Sequence, residues 1–97
     1  MTDRIDTRDE KVYTVTWPDI AREFAYNRLC FVSSQVELSE VADAMADDDA
    51  PKIRRLMQDD HFRLSNDEDA AKWSQNPEMT FNMMIVSPFV LVQPQEH

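Results

Sequence analysis

The sequence predicts an α+β domain, a small winged-helix-like fold in which helices pack on a three-stranded sheet. The first observation is that residues 38–64 form a pattern of two helices, a short polar turn and a strand, which is the order of a helix-turn-helix unit. The second is that a helix over 16–27 and a strand over 29–32 precede this unit. The third is the strong strand signal near the C-terminus, over 80–92.

Length and charge limit the classes of protein. The 97 residues are enough for one domain, which we expect over 12–93, between a flexible N-terminus at 1–11 and a tail at 94–97. Asp and Glu number 19 against 10 Lys and Arg, so the net charge is -9. Such a surface repels a phosphate backbone, because nucleic-acid binding depends on cations that displace counterions. Nucleic acid is therefore not the expected partner.

The N-terminal third predicts a strand, a helix and a second strand. Residues 12–15 favour an edge strand. Thr16 is a good N-cap, with Asp19 at the third helical position, and Asn27 tolerates the left-handed conformation that ends helices. The run at 29–32 is wholly apolar, as in a strand inside a sheet.

Two amphipathic helices form the centre of the prediction. The first has apolar residues at i, i+3, i+4 and i+7, namely Leu38, Val41, Ala42 and Met45. Asp49 is expected to cap the second. The inward-facing residues of this second helix are predicted to be Ile53, Leu56 and Met57.

The C-terminal third predicts one more helix and an apolar strand region. Ser65 and Glu68 fit a capping box for a helix over 65–76, where a winged helix would have a hairpin. Residues 80–86 give the strongest strand signal. Residues 89–92 continue it beyond a proline, either as one kinked strand or as a second strand.

Four segments also carry a resemblance to a known family: residues 17–20, 36–42, 46–48 and, most specifically, 85–93. Over about residues 13–93 the chain resembles a small uncharacterised family of acidic bacterial proteins, domain of unknown function 2288. It departs from the family pattern at Asp60, where glycine follows the third helix, and at Phe89, where tryptophan is usual. The resemblance implies a bacterial cytosolic protein and no particular chemistry.

The candidate interaction residues fall in two groups. Lys52, Arg54 and Arg55 project from the second helix of the helix-turn-helix unit, as a major-groove reader requires. Against DNA, residues 47–60 hold five acids and three bases, and Arg55 can pair with Asp59 at i+4.

The second group is Met83 and Phe89, in the apolar C-terminal segment. These residues are predicted to lie in the core or on a partner or dimer surface, because methionine adapts to irregular contacts.

No residue pattern predicts catalysis or metal binding. Cys30 lies between Leu29 and Phe31 and is expected to be a buried apolar residue rather than a nucleophile. Two histidines cannot supply a three-histidine zinc site, and the chain has no glycine for a phosphate-binding loop. We therefore expect no enzymatic activity, no cofactor and no metal.

The favoured hypothesis is a non-catalytic protein-interaction or regulatory module, with a homodimer as one form of it. One alternative is a DNA-binding transcription regulator that uses the helix at 51–59. The other is a weak DNA mimic that binds a basic protein. No segment has the about 20 apolar residues of a membrane span, and the charged N-terminus lacks a signal-peptide core, so a cytoplasmic location is expected.

Overall fold

The computed structural model of the protein describes the backbone of residues 8–95 and the side chains of residues 11–95. Within this range the chain forms five strands and four helices. In chain order they are β1 (Arg8–Thr16), α1 (Trp17–Ala25), β2 (Leu29–Val32), α2 (Leu38–Ala46), α3 (Ala50–Gln58), β3 (Phe62–Leu64), α4 (Asp67–Ser74), β4 (Thr80–Val86) and β5 (Phe89–Pro94).

All five strands belong to one mixed sheet in the order β1-β4-β5-β2-β3. β2 and β5 are parallel, while the other neighbours are antiparallel. The α+β class is thus confirmed, but the sheet has five strands instead of the predicted three. The winged-helix arrangement is not confirmed, since α4 replaces the wing hairpin and helices pack on both faces of the sheet.

The C-terminal apolar segment accounts for one of the extra strands. β4 and β5 form an antiparallel hairpin in which Val86 pairs with Phe89. The cis peptide bond between Ser87 and Pro88 lies at the turn. Of the two arrangements left open by the sequence, two separate strands is therefore correct.

β1 accounts for the remaining difference. It starts at Arg8, four residues before the predicted strand at 12–15, and pairs with β4 from Arg8–Val86 to Thr16–Thr80. The pairing register shifts between Asp9 and Tyr13. Residues 1–7 of the predicted N-terminal segment and 96–97 of the predicted tail lie outside the described range.

The sheet separates two apolar cores. α2 and α3 cover one face, where Val41, Leu56 and Leu91 lie in the first core. α1 and α4 cover the other, where Ile20, Trp73 and Phe81 lie in the second. Strands covered on both faces are apolar throughout, which explains the continuous apolar runs of β2 and β5.

Three helices end in the same way without any glycine. Asn27, Asp48 and Asp60 follow α1, α2 and α3 with φ of 59°, 53° and 60°. After each helix, two backbone N–H groups donate back into its last turn, for example from Asp60 to the Met57 carbonyl and from His61 to the Leu56 carbonyl. These are Schellman motifs, whose left-handed residue is usually glycine. The prediction for Asn27 is confirmed.

The cap of α4 lies one residue later than predicted. Asn66 is the N-cap, and its Oδ1 accepts from the Asp69 N–H at 2.9 Å, while Asp69 Oδ2 accepts from the Asn66 N–H at 3.0 Å. The predicted Ser65–Glu68 box is wrong, because Asn caps as well as Ser does and Asp69 also pairs with Arg63. The helix spans Asp67–Ser74 rather than 65–76.

Candidate functional site

An open groove lies between α2, α3 and the β4–β5 hairpin. Its volume is about 460 Å³. Most of its lining is apolar and comes from three parts of the chain: Ala44 and Met45 of α2, Ile53 and Met57 of α3, and Val86 and Phe89 of the hairpin. We call this feature the α2–α3 groove.

Local structure places each side of the α2–α3 groove. The left-handed Asp48 ends α2, and Asp49 caps α3 by accepting from the Lys52 N–H at 3.3 Å, so the two helices meet across a three-residue turn. Met45 and Ile53 pack against the core of this face. Phe89, the first residue of β5, packs beside them and is half-buried.

Met57 is the most exposed large apolar residue of the groove, at 51% of its surface. The sequence predicted that Met57 faces inward with Ile53 and Leu56, and this is wrong. Leu56 fills the inward position near the end of α3, which leaves Met57 on the groove side of the helix. The apolar helix period could not separate these two adjacent residues.

The α2–α3 groove also carries one charge of each sign. Arg54 and Asp48 both contribute to its lining. Within the described part of the chain, neither side chain takes part in an ion pair or a hydrogen bond. The lining is therefore electrically balanced, in a protein whose net charge is -9.

The other two predicted basic residues of α3 lie elsewhere. Lys52 Nζ lies 3.3 Å from Glu40 Oε2 of α2. Arg55 lines a separate depression that also contains Glu40, Asp49 and Asp59. The predicted ion pair between Arg55 and Asp59, both of which are described, does not form. Their charged groups lie more than 4 Å apart.

The three bases therefore do not share one cationic face. Arg54 contributes to the groove, while Lys52 and Arg55 lie among acids. A phosphate backbone needs several cations presented together. Nothing in this arrangement indicates DNA binding specifically.

The two predicted C-terminal residues lie on opposite faces of the sheet. Phe89 lines the α2–α3 groove, together with Arg54. Met83 packs against the other core and pairs with Tyr13 of β1 and Val92 of β5. β4 is an interior strand, so its backbone is not an open edge for a partner.

Cys30 has the environment of a core residue. Its side chain is 2% exposed, and burial raises the pKa of its thiol to about 11. At neutral pH the thiol is protonated, whereas a nucleophilic cysteine acts as the thiolate.

Two further findings concern the described residues as a whole. Residues 11–95 contain no group of three or more His, Cys, Asp or Glu side chains that could hold a metal ion. None of the four helices has the length and apolar character needed to cross a bilayer.

An ion pair away from the groove joins β3 to α4. Arg63 donates to both carboxylate oxygens of Asp69, at 2.6 and 3.1 Å, and its guanidinium lies 4.6 Å from the centre of the Phe31 ring. Burial alone would raise the pKa of Asp69, but hydrogen bonds from Arg63 and from the Asn66 N–H lower it below its usual range. The pair holds the two elements together and neutralises the charge of Arg63.

Comparison with known proteins supports the fold and names a family. The model of a family described as "Protein of unknown function (DUF2288)" matches residues 6–94. Among curated proteins, none matches the sequence. The NMR solution structure of PA1075 from Pseudomonas aeruginosa has a TM-score of 0.81 and 23% identity, over 90% of this chain and 80% of that chain. At this identity the likeness shows the fold alone.

Proposed function

The chain belongs to the DUF2288 family of proteins of unknown function, and we propose that it is a non-catalytic protein-binding module. Its binding site is the α2–α3 groove, which holds apolar side chains of a partner. The resemblance noted in the sequence is thus confirmed by a match that covers most of the chain.

The observation that carries this proposal is the exposed apolar surface around Met57. Met57 is half-exposed beside Phe89 and Met45, in a concave site with few polar groups. Exposed apolar patches on soluble domains mark interaction sites, and methionine side chains adapt to different partners. Arg54 and Asp48 add one charge of each sign that can orient a partner.

The DNA-binding alternative has less support than protein binding at the groove. It requires Lys52, Arg54 and Arg55 to act together, whereas Lys52 is paired with Glu40 and only Arg54 lines the groove. The DNA-mimic alternative rests on the net charge alone, and no described surface gives it a specific shape.

Selection of peptides from a random displayed library tests the proposal. We expect the wild-type protein to enrich peptides with apolar anchor residues. Met57→Lys should abolish their binding, because a buried unpaired ammonium opposes docking. The matched control is Val12→Lys on the edge strand β1, since Val12 is exposed to a similar degree, 56%, but lies outside the groove.

The outcome of the two variants decides the question. Binding that survives Met57→Lys and is lost in Val12→Lys would place the site on β1 and contradict the proposal. The proposal would also be contradicted if the selection enriched no peptide that binds at the groove. Both variants must first give the wild-type circular dichroism spectrum.

A further inference from the structure

We infer that the partner held by the α2–α3 groove is a second copy of this chain, docked about a two-fold axis. The inference rests on the proposed function and names the partner of the same site. Two features of the groove support a self-complementary contact: its pair of opposite charges, which leaves it electrically balanced, and its combination of an exposed apolar side chain with an apolar recess.

The charges of the groove match themselves across a two-fold axis. In a symmetric dimer, residue i of one copy contacts residue j of the other, and the reverse contact follows automatically. Arg54 and Asp48 line the same groove and are both unpaired within the described residues. Docking of two copies can therefore place Arg54 of each copy against Asp48 of the other, which forms two ion pairs at once.

The shape of the groove is also self-complementary. Met57 lies on the α3 side of the groove with half of its surface exposed, while Met45 and Phe89 are half-buried in the recess next to it. Each copy thus offers one flexible apolar side chain and one apolar recess. A methionine can fill such a recess without a unique fit, because its side chain is unbranched and adaptable.

The balanced lining argues against a strongly basic partner. A site for a basic segment would be lined by acids, and this protein has a large excess of them. The α2–α3 groove instead contains one acid and one base. The groove thus has the charge pattern expected for contact with its own copy.

The salt dependence of binding distinguishes a second copy of this chain from a basic partner. Two copies that each carry a charge of -9 repel one another, and added salt screens this repulsion. The Arg54–Asp48 pairs would be buried in the contact, where salt screens them much less than it screens the long-range repulsion. We therefore expect self-association to strengthen between ~20 mM and ~300 mM salt. A contact with a basic partner would weaken over the same range, because salt screens attraction in the same way.

Sedimentation equilibrium of charge-reversed variants tests the inference. A contact confined to this groove is small, so we expect a weak dimer seen between ~10 µM and ~1 mM protein. Arg54→Asp alone brings two acids together at each contact, and Asp48→Lys alone brings two bases together. Each should weaken the dimer by about tenfold or more, because facing like charges are costly.

A mixture of the two variants provides the decisive result. When Arg54→Asp is mixed with Asp48→Lys in equal amounts, each contact again pairs an acid with a base. We expect the mixture to associate about as tightly as wild type. A mixture no tighter than either variant alone, or a wild-type chain that is monomeric throughout, would overturn the inference.

Asp48 has positive φ, so lysine there could impair folding. If Asp48→Lys lacks a cooperative melt, Met57→Glu replaces it and should give a monomer, while Val12→Glu stays dimeric. Equal association of these two variants would contradict the inference. A monomeric chain that still binds selected peptides in the groove would leave the proposed function in place and remove only the second copy as its partner.

Discussion

Asp60 shows how single residues set the helix ends in a chain without glycine. It follows α3 with φ of 60°, in the left-handed region that glycine adopts most readily. An L-residue there is strained by contact between its Cβ and the next carbonyl, although Asn and Asp tolerate it better than most. Its carboxylate also lies near the negative end of the α3 dipole. The position is occupied at a cost in stability.

Asp60→Gly is expected to stabilise the protein. Relief of the backbone strain and of the dipole interaction outweighs the extra entropy of glycine, so the free energy of unfolding should rise by about 0.5–1 kcal/mol. Urea denaturation at pH 7 measures this free energy of unfolding. Asp60→Asn is the control, because it removes only the charge and should give a smaller gain. A Gly variant less stable than wild type would contradict this account of the helix end.

The capping residues show which local features the sequence predicts well. The cap at Asp49 and the left-handed Asn27 were predicted correctly, because each depends on contacts within a few residues. The same reasoning placed the α4 cap at Ser65 instead of Asn66. Both residues can cap, and the choice depends on Arg63, which draws the Asp69 carboxylate toward β3.

Among the elements, α4 is attached to the sheet through Arg63 and Asp69. Asp69 completes the capping box with Asn66 and binds Arg63 through both carboxylate oxygens. Arg63 in turn covers the Phe31 ring of β2. One carboxylate thus connects the start of α4 to two strands, which makes this pair worth more than an isolated surface ion pair.

Asp69→Asn is expected to destabilise the protein by about 1–2 kcal/mol at pH 7, because it weakens both the cap and the charge-assisted bonds. The folded-state pKa of Asp69 is lowered, so its contribution is present above the ordinary pKa near 3.8 and is lost as the pH falls through the lower folded value. The difference between the two proteins should therefore shrink below about pH 4.

Urea denaturation from pH 7 to pH 3 checks this prediction. Asp67→Asn serves as the control, since Asp67 lies in the same first turn of α4 but is exposed. Asp67→Asn should lower the free energy of unfolding much less than Asp69→Asn does. Equal losses from the two variants, or a difference that does not depend on pH, would show that the Arg63 pair does not contribute as described.

Strand order illustrates what local patterns cannot supply. The segments that form β2, β4 and β5 were visible as apolar runs. Their neighbours in the sheet were not, because β1 pairs with β4 from the other end of the chain, and the parallel β2–β5 pair also joins distant segments. The predicted sheet was therefore too small, although most of its parts had been identified.

For the molecule as a whole, the candidate site arises from segments that are distant in sequence. Arg54 and Phe89 were both singled out from the sequence, but for unrelated reasons. The structure brings them into one groove because β5 lies beneath the α2–α3 pair. The exposure of Met57 had no signal in the helical period and follows only from how α3 sits on the sheet.

We propose that the α2–α3 groove is the surface through which the protein binds its partner. Methyl NMR of protein labelled at its methionines tests this proposal most directly. The spectra are compared before and after a selected peptide is added, or as the protein concentration is raised. Met45 and Met57 line the groove, whereas Met79 and Met83 pack on the opposite face of the sheet. We predict that the Met45 and Met57 methyl signals shift while those of Met79 and Met83 remain in place. Shifts confined to Met79 and Met83, or no shift of Met57 when binding is complete, would contradict the claim.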